Sequence, residues 1–429
     1  MADAAYTFNP AVDSDLAIDR AQGSPRARPV PRVNIQAFCE DQSTAAVIEQ
    51  VSEDRRLARA QVTVQMGGAQ AAIAFYRDGS PNLIIIESLL DRREMLGEFE
   101  RLAEVCDPGT KVIAIGHVND VRLYRDLLSL GVSDYVVAPL TVSQVIESIS
   151  SIYTDPETGP VGQIIAFVGA KGGAGSSTVC HNTAFAIAGS LESDVVIADL
   201  DLPFGTGGLD FNQDPLQGIA EALDSPERFD DLLLDRLLSR CSDHLSLLAA
   251  PSSLDRPYDI DSNACESVFD VVRQSVPWIA IDVPHLWTAW AKEVVTKADH
   301  VVITATPDLA NLRNTKNLVD RLKASRPNDP APMLVLNQVR LPKRPEIAVN
   351  DFSHAIELEP KVIIDFDAQL FGTAANNGQM IEEISDRSEA ARSFRRLASI
   401  LTDRSEQKSE RESILTPILS RLRRAMARG

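Results

Sequence analysis

Short apolar runs alternate with helical patterns along most of this chain, and that alternation leaves few folds open. From Gln163 onward the runs are QIIAFVGA, DVVIADLD, LSLLAAP, WIAIDVP, HVVITATP, MLVLNQV and KVIIDFD. Several have no polar face, so both faces of the strand must be covered, as in a parallel sheet between layers of helices. An earlier block repeats the pattern with VNIQAF (33–38), NLIIIES (82–88), KVIAIG (111–116) and DYVVAP (134–139). Helical stretches separate these runs, among them VRLYRDLLSLG, which Gly131 closes. The expected class is therefore α/β in two blocks. Residues 1–31 are polar, end in SPRARPVP and read as a disordered lead. The first block spans 32–153, and TDPETGPVG (154–162) reads as a linker. The second block spans 163–402. A charged linker (403–413) and a final segment (414–429) follow.

Charge and composition remove several functions. Sixty-one acidic against 42 basic side chains give a net charge of −19, which repels phosphate backbones and argues against a nucleic-acid partner. Five scattered cysteines without a CxxC pair fit reduced thiols, and six dispersed histidines suggest no metal site. No apolar run reaches the roughly 20 residues that span a bilayer. The first residues lack the basic-then-apolar order of a signal peptide. The expected location is cytoplasmic.

The stretch KGGAGSST, Lys171 to Thr178, falls between a strand and a helical pattern. A glycine-rich turn there lets backbone N–H groups converge on phosphate oxygens, aided by the helix dipole. The usual phosphate loop, GxxxxGK[ST], ends in a lysine and a hydroxyl residue. Here Ser177 supplies the hydroxyl, Ser176 stands in the lysine position, and Ala170 replaces the first glycine. Asp199 and Asp201 in IADLD and Asp282 in IAIDVP add carboxylates at the carboxyl ends of strands, where ligands bind in such sheets.

KGGAGSST resembles the deviant Walker A motif, KGGxGK[ST], of the MinD/ParA ATPases. DLDLPFGTGGLDF, DVPHLW, TATPDLANLRNTKNLVDRL, VLNQV, KRPEI and FGTAANNGQMI are similar to the CpaE/TadZ family of tight-adherence (Flp-type) pilus assembly. The resemblance implies a P-loop NTPase domain with a doubly wound parallel sheet, and ATP and Mg2+ as cofactors. It implies that Lys171 is the signature lysine, reaching in trans to a partner's nucleotide in an ATP-dependent homodimer. Gly172, Gly173, Ala174, Gly175, Ser176, Ser177 and Thr178 would cradle phosphates, with Asp199 beside them. Ser177 would bind magnesium and Asp282 would hold its shell through water. Asp201 would position the attacking water near the metal, and Asn337 and the KRPEI loop would lie near adenine. Ser176 departs from the family pattern. Removing a charge-stabilising group of this kind commonly costs about 3 kcal/mol, roughly two orders of magnitude in rate, so slow or absent hydrolysis is expected.

The first block resembles a response-regulator receiver domain, a flavodoxin-like fold. AFCED (37–41) matches its acidic first strand end, with Glu40 and Asp41. The phosphoacceptor position falls on Glu87, the switch Ser/Thr position on Gly116 and the lysine position on Ala138. With all three changed, a phosphorylation-independent docking or dimerisation module is expected.

In ILTPILSRLRRAMARG, Ile418, Leu419, Leu422 and Met426 share a helical face, while Arg421, Arg423, Arg424 and Arg428 supply positive charge. This composition fits an amphipathic helix on a membrane surface or on a protein partner. The resemblance implies a protein peripheral to the inner membrane, at a cell pole. There it would recruit the pilus secretion ATPase and other assembly proteins. The alternative is a ParA-type DNA-segregation ATPase, which needs a basic face. An ordinary phosphotransferase would need the lysine that Ser176 replaces, and the nitrogenase-reductase branch needs cluster-binding cysteines that this spacing does not offer.

Overall fold

β-Branched and aliphatic residues dominate each strand, and helix caps punctuate the segments between. The computed structural model describes residues 30–75, 80–107, 109–153, 162–251, 253–254 and 259–403. Most of the expected lead, most of the linker at 154–162, all of the segment 403–413 but its first residue, and the segment 414–429 lie outside the described residues. The chain divides into two units at Thr158.

In the first unit the strands are β1 (Asn34–Cys39), β2 (Gln61–Met66), β3 (Leu83–Glu87), β4 (Lys111–Gly116) and β5 (Asp134–Val137). They form one parallel sheet in the order β2-β1-β3-β4-β5, the flavodoxin-like arrangement expected of a receiver. β3 is buried along its whole length, and its side chains alternate between two cores. Ile85 packs with Ile48 and Ile146 on one face; Ile84 and Ile86 pack with Phe99 and Leu127 on the other. The strand β2 was not anticipated. QVTVQM alternates in character and lies at a sheet edge, so it carries no unbroken apolar run.

In the second unit the strands are β6 (Gln163–Gly169), β7 (Val195–Asp199), β8 (Ser239–Arg240), β9 (Leu245–Leu248), β10 (Trp278–Val283), β11 (His300–Ala305), β12 (Met333–Val339) and β13 (Pro360–Asp365). Their order is β13-β12-β11-β6-β10-β7-β9-β8, parallel except where the two-residue β8 pairs with β9. The central strand β6 places Ile164, Ala166 and Val168 in one core, and Ile165 and Phe167 in the other. Helices therefore cover both faces, as the apolar runs require. The loop after β6 opens between the ends of β10 and β11. One expectation needs correcting: Asp199 closes β7 and Asp282 lies within β10, but Asp201 sits two residues beyond β7, in a turn rather than at a strand end.

Candidate functional site

The segment between β6 and the helix Ser176–Ser190 is held by hydrogen bonds from three other strand ends. Ala170 donates its N–H to the Thr304 carbonyl at 2.8 Å. Asn314 Nδ2 donates to the Ala170 carbonyl at 2.8 Å, and His285 Nδ1 lies 2.9 Å from the Gly169 carbonyl. From β12, Asn337 Nδ2 donates to Ala174 O at 2.9 Å and Gln338 Nε2 to Gly173 O at 3.0 Å. Gly175 caps the helix at φ +87, a left-handed conformation that glycine adopts readily. A Cβ on Gly175 would also come within 2.4 Å of Asn337 Nδ2. Glycine has no side chain to cap the helix, so the first-turn N–H groups face the loop without one. Lys171, Gly172 and Gly173 are exposed.

Behind the loop lies a buried group of acids. The Ser177 side chain is close enough to Asp282 to favour its charged form against burial. Asp199 is fully buried, accepting from the Asp201 N–H at 3.1 Å and the Gly207 N–H at 3.0 Å. Burial, reinforced by the Asp282 charge, pushes Asp199 up to about 7. Burial likewise raises Asp282, and Asp201 outside it. His181, fully buried on the helix that follows the loop, has its Nδ1 2.7 Å from Asp210 and its Nε2 3.7 Å from Asp282. Burial opposes its charge, but the Asp210 hydrogen bond and the charges of Asp282, Asp210 and Asp199 outweigh this and raise it. The sequence offered no signal for His181 or Asp210, because their partners are distant along the chain.

The carboxylates carry more negative charge than His181 offsets, and a divalent cation would relieve it. Among the described residues no group of three or more His, Cys, Asp or Glu side chains is arranged to hold a metal alone. Magnesium keeps several waters and takes ligands from phosphates, so Ser177, with Asp282 and Asp201 acting through water, fits it. The Ser176 hydroxyl is buried without a partner. A cavity of about 420 Å³ continues from Gly175 and Thr178 past Asn337 and Gln338 to Phe366 and Phe371, and the Asn337 amide is committed to the loop. On the other side of the loop, Leu286 and Trp287 are half exposed beside a second cavity of about 490 Å³. Burial would raise Asp308, but hydrogen bonds from Asn311 and Thr306 hold it low, with help from the Lys171 charge.

Hydrogen bonds engage the three acids of the first unit that the receiver pattern marks. Glu87, fully buried, accepts from the N–H groups of Glu40 and Asp41, both at 2.8 Å, and from the Thr44 hydroxyl at 2.7 Å. His117 Nε2 lies 2.9 Å from the same carboxylate. Burial would raise Glu87, yet these bonds bring it below its ordinary value. The Glu40 carboxylate accepts from the Leu89 N–H at 2.8 Å, and Asp41 caps the helix Gln42–Ser52 through the Ser43 N–H. Beside Gly116 sits Tyr135, whose hydroxyl would come within 2.3 Å of any Cβ there and donates to the Val118 carbonyl at 2.7 Å. Ala138 gives its N–H to the Gly116 carbonyl at 2.8 Å. Glu87 and Glu40 are thus engaged by other segments of the fold, while Asp41 stays exposed.

No family model matches the chain. A crystal structure of the pilus assembly protein CpaE from Caulobacter crescentus is 43% identical over 98% of that chain and 30% of this one, with a TM-score of 0.29. The septum site-determining protein MinD from Pyrococcus horikoshii, solved with Mg-ADP, is 19% identical over 96% of its length and 56% of this chain, with a TM-score of 0.50. MinD of Bacillus subtilis is 26% identical over 191 residues, 42% of this chain and 66% of the relative. The chain thus spans just under two thirds of that relative's length.

Proposed function

Because the chain belongs to the CpaE family of pilus assembly proteins, a MinD/ParA-like group, we propose that it is a nucleotide-binding, self-associating organiser of a pilus assembly machine. The observation that carries this reading is the glycine loop latched by Asn337 and Gln338 in front of the buried Asp199 and Asp282 carboxylates, on a sheet of MinD/ParA topology. When bound, Mg2+-ATP would supply the phosphate charge that the buried acids and the loop N–H groups are arranged around. Gly172 to Thr178 cradle the phosphates, Ser177 and Asp282 orient the metal, and Asp199 holds the Asp201 turn in place. Asp201 positions water, and Asn337 shapes the side of the cavity that takes adenine.

Around the loop, Phe204, Leu286, Trp287 and Leu309 are 50–73% exposed, an apolar rim that suits a second copy of the chain. The exposed Lys171 lies on this rim and reaches the partner's nucleotide. Ser176 keeps turnover slow, so occupancy rather than hydrolysis sets the dimer. ATP stabilises the dimer by differential affinity, and the dimer recruits the secretion ATPase at a pole of the inner membrane. The test is oligomeric state by light scattering with and without Mg2+-ATP. Wild type should dimerise only with nucleotide and hydrolyse it slowly, Lys171→Ala should stay monomeric, and Asp201→Ala should lower the already slow rate further. A wild type that stays monomeric at saturating nucleotide, or brisk Asp201-dependent turnover, overturns the reading.

A further inference from the structure

We propose that Gln338 is a positioning residue for the phosphate loop, setting the loop's conformation before a ligand arrives. The inference rests on the nucleotide reading above and adds a residue to it. Packing does not hold the tip of the loop: a Cβ at Gly172 or Gly173 would find no atom within 4 Å. Gly173 sits at φ +81, and glycine interconverts freely between such conformations. The peptide joining Gly173 to Ala174 is nonetheless gripped from two sides. Its carbonyl accepts from Gln338 Nε2 at 3.0 Å, and its N–H donates to the Lys171 carbonyl at 3.1 Å. Fixing that peptide fixes the Lys171–Ala174 turn, and with it the base of the lysine side chain.

The chain departs from regular strand geometry to make this contact. Gln338 adopts φ +52, a left-handed conformation unusual for a residue with a side chain. The register between β12 and β13 shifts between Leu336 and Val339, around the same residue. Such an irregularity re-aims a side chain. Here it turns both amides, Asn337 and Gln338, onto successive loop carbonyls, while the neighbouring Ser176 hydroxyl makes no contact that would steady the loop. Strain of this kind is retained where the surroundings demand it, which makes Gln338 a candidate for a functional constraint.

The left-handed conformation supplies the test, because glycine at 338 removes both the strain and the amide. The full-length chain is compared as wild type, Gln338→Ala and Gln338→Gly, for binding of Mg2+-ATP and of Mg2+-tripolyphosphate, with melting temperature measured in parallel. Both variants should bind both ligands more weakly, by roughly fivefold or more, as expected for one lost hydrogen bond. Gln338→Gly should melt at or above the wild-type temperature. The inference is overturned if either variant binds both ligands like wild type. It is also overturned if only ATP binding weakens, since Gln338 would then contact the base, or if binding and melting temperature of Gln338→Gly fall together. A wild type that binds neither ligand overturns the nucleotide reading and this inference with it.

Discussion

Glu87 shows how a single buried carboxylate can serve as a scaffold. Four donors converge on one buried carboxylate, and hydrogen bonds to a charged acceptor are each worth more than neutral ones. Its folded pKa lies below the ordinary 4.5, so its stabilising contribution is fully present above that value and is lost as pH falls through the folded value. Glu87→Gln keeps the shape but presents an amide N–H₂ to donors. It should lower stability at pH 7 by about 3 kcal/mol. The gap from wild type should narrow as the pH falls below 4.5; urea titrations at several pH values read both effects. Sequence alone located Glu87 and identified the substitution. It did not indicate that Thr44 and His117 would complete the shell, because neither occupies a position that the receiver pattern marks.

Elements were legible where burial made them uniform. β3, β6 and β10 are buried on both faces and announce themselves as apolar runs. Edge elements were not: β2 alternates, and β8 is two residues long. The helix Ser176–Ser190 illustrates a different limit. Its amphipathic signal is weak because it is covered almost all round, with His181, Asn182 and Thr183 all buried. Asn182 ties it to a distant segment: its Oδ1 accepts from the Ile381 N–H at 2.8 Å and its Nδ2 donates to the Thr178 carbonyl at 2.9 Å. Asn182→Ala leaves the buried Ile381 N–H unpaired. It should cost about 1–3 kcal/mol, seen as an earlier urea transition of the second unit. The loop's glycines and Ser177 were readable from spacing. The amides that hold the loop were not, because Asn314 and Gln338 lie 144 and 165 residues from the carbonyls they grip.

For the whole molecule the relevant quantity is the contrast between a net charge of −19 and the arginines of the last sixteen residues. If that tail is an interfacial helix, binding depends on anionic lipid, because attraction of its arginines must outweigh the repulsion of the acidic body. Removing residues 414–429 should abolish co-sedimentation with anionic vesicles and leave nucleotide binding intact; equal sedimentation of both forms would point to a protein partner instead. Nucleotide and surface would then be the inputs to which the chain responds, and Tyr135 argues against phosphorylation as a third. Its ring fills the place beside Gly116 where a receiver's switch hydroxyl would stand. Phosphorylation by the receiver pattern would need changes at 87, 116 and 138, and the change at 116 would also need room made at Tyr135. If phosphorylation is no input, these positions act as a ratchet: the unit would serve as a fixed adaptor that no single substitution returns to signalling.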